Sequence, residues 1–394
     1  MNQQFFVEIK CDQKNHEKER ICGDVFLTEK IKEENRIIIV LSDGLGHGVK
    51  ANVLATLTAK MALSFTKEHK DFIKIAEIIM NTLPVCSERK ISYSTFSILD
   101  IEINDKIRIL EYENPPCLIL RNGKLFDPKW ENIILEGERY KNRRLRSCSF
   151  YPKKEDRILI FTDGITQAGM GTKKYPFGWG IDDLTEFVTN LVNNQPSISA
   201  QKLAVKVVNM AHQLDEFHSK DDSSCVSIYF REPRKLLICT GPPYEREKDL
   251  LLANIVREFK GKKIICGATT ADIIARELNL EIKDSFDFTD EELPPVSSME
   301  GFDLITEGIL TLSKVHRILT NYNKNTILGN GPADQIVKLI RKSDEILFII
   351  GTRINIAHQD PNLPIDLEIR RTVVRRIARE LEEKFLKQVT IKFI

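Results

Sequence analysis

Apolar positions along the first part of the chain recur in two rhythms, one strand-like and one helical. Strand-like runs lie at residues 5–9 and 37–41, and helical patterns fill about 49–65 and 72–83, with Pro84 ending the second. A strand-rich stretch follows at 92–103, 107–112, 117–120 and 157–161, broken by turn residues such as Asn122-Gly123. One more helix is predicted at about 200–214 and a strand at 226–230. Strands, two helices, more strands, a helix and a last strand predict an α+β sandwich whose sheets are covered by helices.

The rhythm changes at Arg231-Glu232-Pro233-Arg234-Lys235. Beyond it, short and wholly apolar strands alternate with helices: a strand at 236–239, a helix to 259, a strand at 264–266 and a helix to 278. A strand at 346–350, a long helix near 367–386 and a strand at 389–394 complete the pattern. Such alternation predicts a smaller α/β domain on a largely parallel sheet. The expected domains are therefore 1–233 and 234–394, joined without a low-complexity linker. A length of 394 residues fits two cores better than one.

Bulk chemistry narrows the function classes. Hydrophobic residues make up 42% and charged residues 29%, and the formal net charge is +1. No global field draws this chain to nucleic acid or anionic lipid. No apolar run reaches the roughly 18 residues that span a bilayer, and the start Met1-Asn2-Gln3-Gln4 has no signal-peptide pattern. A cytoplasmic protein is expected. The 8 cysteines form no C-x-x-C pair, and several sit in apolar runs, so they read as reduced core thiols.

Four acidic motifs punctuate the first domain at strand ends. Gly23-Asp24 precedes Val25-Phe26-Leu27, and Asp43-Gly44-Leu45-Gly46-His47-Gly48 follows the run at 37–41. Asp163-Gly164-Ile165 follows the run at 157–161, and Asp221-Asp222-Ser223-Ser224 precedes the run at 226–230. Rigid strand ends can aim carboxylates at one point, where hard cations such as Mg²⁺ or Mn²⁺ take oxygen ligands and clamp a phosphate. An isolated Asp-Gly is mostly a turn. Four such motifs in one domain point further, but spacing alone leaves metal site and turns both open.

In this order, and with Asp163-Gly164-Ile165-Thr166-Gln167-Ala168 and Asn114-Pro115-Pro116, the motifs resemble the PPM phosphatases, specifically the stage II sporulation protein E-type branch. The resemblance covers about residues 5–231. It implies a β-sandwich flanked by helices and metal-dependent hydrolysis of phosphoserine or phosphothreonine on a regulatory protein. Asp24 and Asp43 would hold two Mn²⁺ or Mg²⁺ ions with Asp43 bridging, and the Gly44 carbonyl would join them. Asp163 and Asp221 would complete the other metal's set of ligands, with Asp222 as a substitute for Asp221 or a holder of water. Catalysis would fall to Asp24, Asp43, Asp163 and Asp221. The helices at 49–65 and 72–83 would act as a switch, with Leu57 on a buried face. Residues 234–394 resemble the tail of a subgroup in anaerobes linked to iron-only hydrogenases.

Departures from the pattern bear on mechanism. Leu45 stands where eukaryotic relatives often carry a histidine, and the plainer reading of the nearby His47 is a surface residue at a helix start. No arginine matches a phosphate-binding role, and Lys141, Arg143, Arg144 and Arg146 read as a solvated basic face. A dinucleotide fingerprint fails because Val49 stands where the third glycine belongs, and no P-loop is present. The non-enzymatic alternative is a pseudophosphatase or phosphoprotein-binding scaffold with a ligand-sensing C-terminal domain. In that domain, Gly and Thr recur at 240–241, 267–270, 306–308 and 351–352, followed by Arg353 and His358. They predict a small anionic ligand at the loop ends. A phosphorylated protein is the expected partner, with no nucleic acid or membrane, and a homodimer is left open.

Overall fold

The run Ile37-Ile38-Ile39-Val40-Leu41 is apolar at every position because both faces of its strand are covered. Ile37, Ile39 and Leu41 point to one core, while Ile38 and Val40 point to another. A computed structural model describes residues 5–31, 33–82, 94–103, 105–135, 143–323, 325–353 and 366–394. The chain divides into two units, Met1–Glu232 and Pro233–Ile394.

In the first unit the elements run β1 (Phe6–Lys14), β2 (Val25–Ile31), β3 (Arg36–Gly44), α1 (Gly48–Lys67), α2 (Phe72–Thr82), β4 (Ser94–Glu102), β5 (Ile107–Tyr112) and β6 (Leu118–Arg121). Then follow β7 (Lys124–Leu125), β8 (Glu131–Ile134), β9 (Arg144–Phe150), β10 (Arg157–Phe161), α3 (Asp163–Thr166), α4 (Gly180–Asn194), α5 (Ala200–Leu214) and β11 (Ser223–Arg231). Two antiparallel sheets form, ordered β1-β11-β10-β6-β7 and β2-β3-β4-β5-β9-β8. Their inner faces share a core of Ile39, Leu99, Ile109, Ile160, Val226 and Ile228. The helices α1 and α2 cover the outer face of the second sheet, packing Ala59, Ile75 and Ile79 on Val40 and Phe96. The helices α3 to α5 cover the other, with Leu184, Leu203 and Val207 over Leu159 and Phe161. The expected α+β sandwich with helical flanks is therefore found.

Three local readings need correction. Leu57 is 44% exposed rather than buried. The buried face of α1 is made instead of Ala51, Ala55, Thr58, Ala59 and Ala62, small residues that let the helix lie close to its sheet. The basic cluster is not simply a solvated face: in β9 buried Leu145 lies between Arg144 and half-buried Arg146, and the Arg146 guanidinium lies 4.3 Å from the Trp130 ring centre. Lys141 and Pro84 lie outside the described residues, and the helix α4 was not anticipated at all.

The second unit runs β12 (Lys235–Thr240), α6 (Asp249–Glu258), β13 (Lys262–Cys266), α7 (Ala268–Leu278), β14 (Ile282–Asp284), β15 (Ser297–Met299) and β16 (Leu304–Thr306). It continues with α8 (Ile309–Thr320), α9 (Pro332–Lys342), β17 (Glu345–Ile350), α10 (Asp366–Glu383) and β18 (Gln388–Phe393). The sheet order is β14-β15-β16-β13-β12-β17-β18. The five strands from β16 to β18 in that order pair in parallel, as the apolar runs predict. The helices α8, α9 and α10 cover one face and α6 and α7 the other. Cys239 and Cys266 are buried and free, and burial pushes the Cys266 thiol up to about 12. No helix among the described residues is long and apolar enough to cross a membrane.

Candidate active site

The predicted aspartates come together at one end of the sandwich, and the fold sorts them into two layers. Asp43, at the end of β3, Asp163, the first residue of α3, and Asp221, just before β11, line a cleft of about 400 Å³. Leu45, Gly46, His47, Ser94, Thr95, Tyr112, Glu113 and Lys220 complete its wall. Asp24 and Asp222 are each only 3% exposed.

Hydroxyl groups hold the buried layer in place. Thr162 Oγ1 and Ser224 Oγ both donate to Asp24 Oδ2, at 2.8 and 2.6 Å. The backbone N–H of Ser224 in turn donates to Thr162 Oγ1 at 3.0 Å. Asp222 Oδ1 accepts the His16 backbone N–H at 2.9 Å. Asp24 Oδ1 and Asp222 Oδ2 are buried without any partner. Asp222 N–H donates to Asp221 Oδ1 at 2.8 Å, which separates the doublet into a cleft-facing and a buried carboxylate.

Close backbone approach explains the glycines. A β-carbon on Gly44 would stand 2.0 Å from the Ala51 carbonyl oxygen, so only glycine lets α1 start this near the end of β3. A β-carbon on Gly23 would stand 2.8 Å from Asp222 Oδ2.

Burial, with the neighbouring charges, raises the proton affinity of Asp24, Asp43 and Asp221. Burial, opposed by the two hydroxyl bonds and aided by Asp222 and Asp221, lifts Asp24 to about 8. Asp43 is pushed well above the carboxylate range by burial and then by Asp24, Asp163 and Asp221. Burial and the Asp163 charge lift Asp221 to about 6. Among the described residues no three His, Cys, Asp or Glu side chains close into a ready cage for an ion. The acidic groups surround the cleft instead.

Of two further residues of the cleft, His47 stands as expected, exposed at the start of α1, and Lys220 was not singled out from the sequence. His47 borders it with Nδ1 2.8 Å from Glu19 Oε1, its ring stacked on His16 at 4.4 Å, and its side chain 51% exposed. Lys220 also borders it, donating from Nζ to the Met170 carbonyl at 2.8 Å. Its position directly before Asp221-Asp222 was the available signal. The Gly44 carbonyl has no described contact that bears on metal binding.

Residues 33–231 match the family model described as Stage II sporulation protein E (SpoIIE). No curated protein matches the chain in sequence. Among solved structures, the chain is similar to the phosphatase domain of the cell fate determinant SpoIIE from Bacillus subtilis, with 16% identity and a TM-score of 0.44 over 58% of this chain and 94% of that one. It is also similar to RsbX in complex with magnesium, at 18% identity and a TM-score of 0.39 over 57% of this chain and 95% of that one. A third is the catalytic domain of the serine/threonine protein phosphatase PstP in complex with 2 manganese ions, at 12% identity and a TM-score of 0.37 over 58% of this chain and 100% of that one. With the family model matching half of its length, the chain belongs to the stage II sporulation protein E family of PPM-type phosphatases.

Proposed function

We propose that this chain is a metal-dependent protein phosphatase that hydrolyses phosphoserine or phosphothreonine on a regulatory protein. The observation that carries the reading is the gathering of five aspartates, three lining one cleft and two buried with a carboxylate oxygen each unpartnered. A buried, unpaired carboxylate is costly, and several together repel one another. Divalent cations fit such a donor set: hard oxygens, excess negative charge, and two buried oxygens that no internal donor satisfies. Asp24, Asp43, Asp163 and Asp221 would hold two Mn²⁺ or Mg²⁺ ions with the Gly44 carbonyl, and Asp222 would support Asp221 from behind.

When bound, such ions supply positive charge that neutralises phosphate oxygens and brings the pKa of water toward neutrality. The chain's own residues do the rest. Thr162 and Ser224 fix the Asp24 carboxylate on one oxygen, leaving Oδ1 for the site. Lys220 adds a cation at the cleft wall, where the substrate's phosphate or its acidic neighbours can be met. The cleft is open to a protruding side chain, which suits a phosphorylated segment of a protein. His47, half exposed and tied to Glu19, orders the loop rather than donating the leaving-group proton.

The test is hydrolysis of phosphoserine and phosphothreonine peptides, and of p-nitrophenyl phosphate, by purified protein with Mn²⁺ or Mg²⁺. Turnover that EDTA abolishes supports the reading. Phosphopeptide binding without turnover under both metals would favour the scaffold alternative.

A further inference from the structure

The second unit is wound in two directions. From β12 the chain places β13 and then β16 on one side, and later returns to place β17 and β18 on the other. The carboxyl ends of β12 and β17 therefore flank the point where the winding reverses. Open parallel sheets bind ligands in the crevice at such a point.

The four glycine and threonine junctions sort into two pairs in space. Gly267 packs against Gly308, its β-carbon position 3.9 Å from the Gly308 α-carbon, and Gly241 packs against Gly351. The second pair sits at the reversal. Gly241 has φ +83°, and a β-carbon on Gly351 would stand 2.1 Å from the carbonyl oxygens of both Gly241 and Pro242. The Gly351 N–H donates to the Thr240 carbonyl at 2.9 Å and the Arg353 N–H to the Pro242 carbonyl at 3.2 Å. The two loops are thus laced backbone to backbone.

Two residues lie next to Gly241: Thr240 precedes it in the chain and Arg370 reaches it from α10. Thr240, the last residue of β12, shares its strand face with Leu236 and Ile238, which pack toward α10. Its hydroxyl belongs to a residue 1% exposed and has no hydrogen-bond partner. A buried hydroxyl left without a partner is costly. Arg370 lies one helical turn before Val374, which packs into the same layer from α10. Its Nη1 comes within 2.6 Å of the β-carbon position of Gly241. On the opposite face, Arg353 Nη2 is also buried without a hydrogen bond, 3.9 Å from Asp249 Oδ1. His358 lies outside the described residues.

We propose that Arg370 and Thr240 grip an oxyanion, phosphate or carboxylate, of a small molecule seated over the carboxyl ends of β12 and β17. The guanidinium fork matches two oxygens at once. The Thr240 hydroxyl supplies a further donor and in doing so gains the partner it lacks. The absence of a side chain at Gly241 leaves the guanidinium room to lie against the backbone.

The experiment uses the full chain in EDTA, so that a metal-loaded phosphatase cleft does not itself bind anions. Melting curves and titration calorimetry are run with inorganic phosphate, AMP and citrate. At least one probe raises Tm saturably in the wild type. Thr240→Val, isosteric and without the unpaired hydroxyl, melts no lower unliganded yet binds about tenfold more weakly, and Arg370→Gln loses binding. Response to phosphate and AMP alone assigns a phosphate group, and response to citrate alone a carboxylate. No shift with any probe, or unchanged affinity in Thr240→Val, overturns the proposal; should Arg370→Gln fail to fold, Thr240→Val decides.

Discussion

Gly164 lies so close to Asp222 that a β-carbon on it would stand 2.1 Å from the Asp222 carbonyl oxygen. This contact ties the start of α3, which presents Asp163, to the entry of β11, which presents Asp221. Gly164→Ala must push the two apart. The expected result is loss of phosphatase activity by at least about a hundredfold, since an ångström of misplacement costs that much. A Mn²⁺ titration of the variant should also show weakened binding. Wild-type kinetics in Gly164→Ala would mean the spacing of Asp163 and Asp221 does not matter.

Metal removal should expose the cost of the acidic cluster as a pH dependence. Asp24 has a folded pKa of about 8, above its ordinary value of 3.8. Native protein therefore holds a proton that the unfolded chain has released, and unfolding is opposed most at low pH. That stability is lost as pH rises through about 8. In EDTA, Tm should fall between pH 5 and 8.5, and Asp24→Asn should flatten the fall. Saturating Mn²⁺ should restore Tm at the alkaline end. A metal-free Tm that rises over this range would contradict the sign.

His47→Gln should change kcat by less than about threefold, because a half-exposed ring hydrogen-bonded to Glu19 is poorly placed as a proton donor. A loss of a hundredfold, with a shifted alkaline limb in the kcat profile, would make it the general acid instead.

Lys220→Ala should raise KM for a phosphopeptide by about tenfold while kcat changes little, the pattern of an interaction made equally in ground and transition states. Lys220→Arg should recover most of the loss. Equal falls in kcat and kcat/KM would place the ammonium in the transition state.

The coupling of α1 to the site is testable once its faces are read correctly. Ala59→Leu overpacks the buried face and should cost about 1–3 kcal/mol. It should weaken Mn²⁺ binding more than KM, because α1 begins where Gly44 touches Ala51. Superimposable metal titrations would remove this helix from the account.

The site was legible where chemistry and backbone geometry coincide. Asp24, Asp43, Asp163 and Asp221 stand out because each carboxylate sits at the end of an apolar run, and strand ends are what bring distant residues together. Asp222 stayed ambiguous because adjacent residues near a strand point opposite ways, and only the three-dimensional fold tells which enters the cleft. Lys220, Thr162 and Ser224 act through reach and hydrogen bonding, which leave no pattern in a sequence. Leu57 misled because Val49, Val53 and Leu57 form a regular stripe at four-residue spacing, the usual mark of a core face. All three are exposed, and the close packing of α1 on its sheet selects the alanine face instead. The strand β9 was hidden by its arginines, although Leu145 and Cys148 are both buried in it. In the second unit the apolar strands were plain, whereas the pairing of Gly241 with Gly351 depends on strand order, which no local pattern contains.

The most direct measurement is phosphopeptide hydrolysis followed through a Mn²⁺ titration in which metal binding is recorded on the same sample. Turnover should rise with the filling of two metal equivalents, vanish with EDTA, and be absent in Asp43→Asn although that variant melts no lower than wild type in EDTA. Turnover that persists without metal, or full activity in Asp43→Asn, would contradict the account.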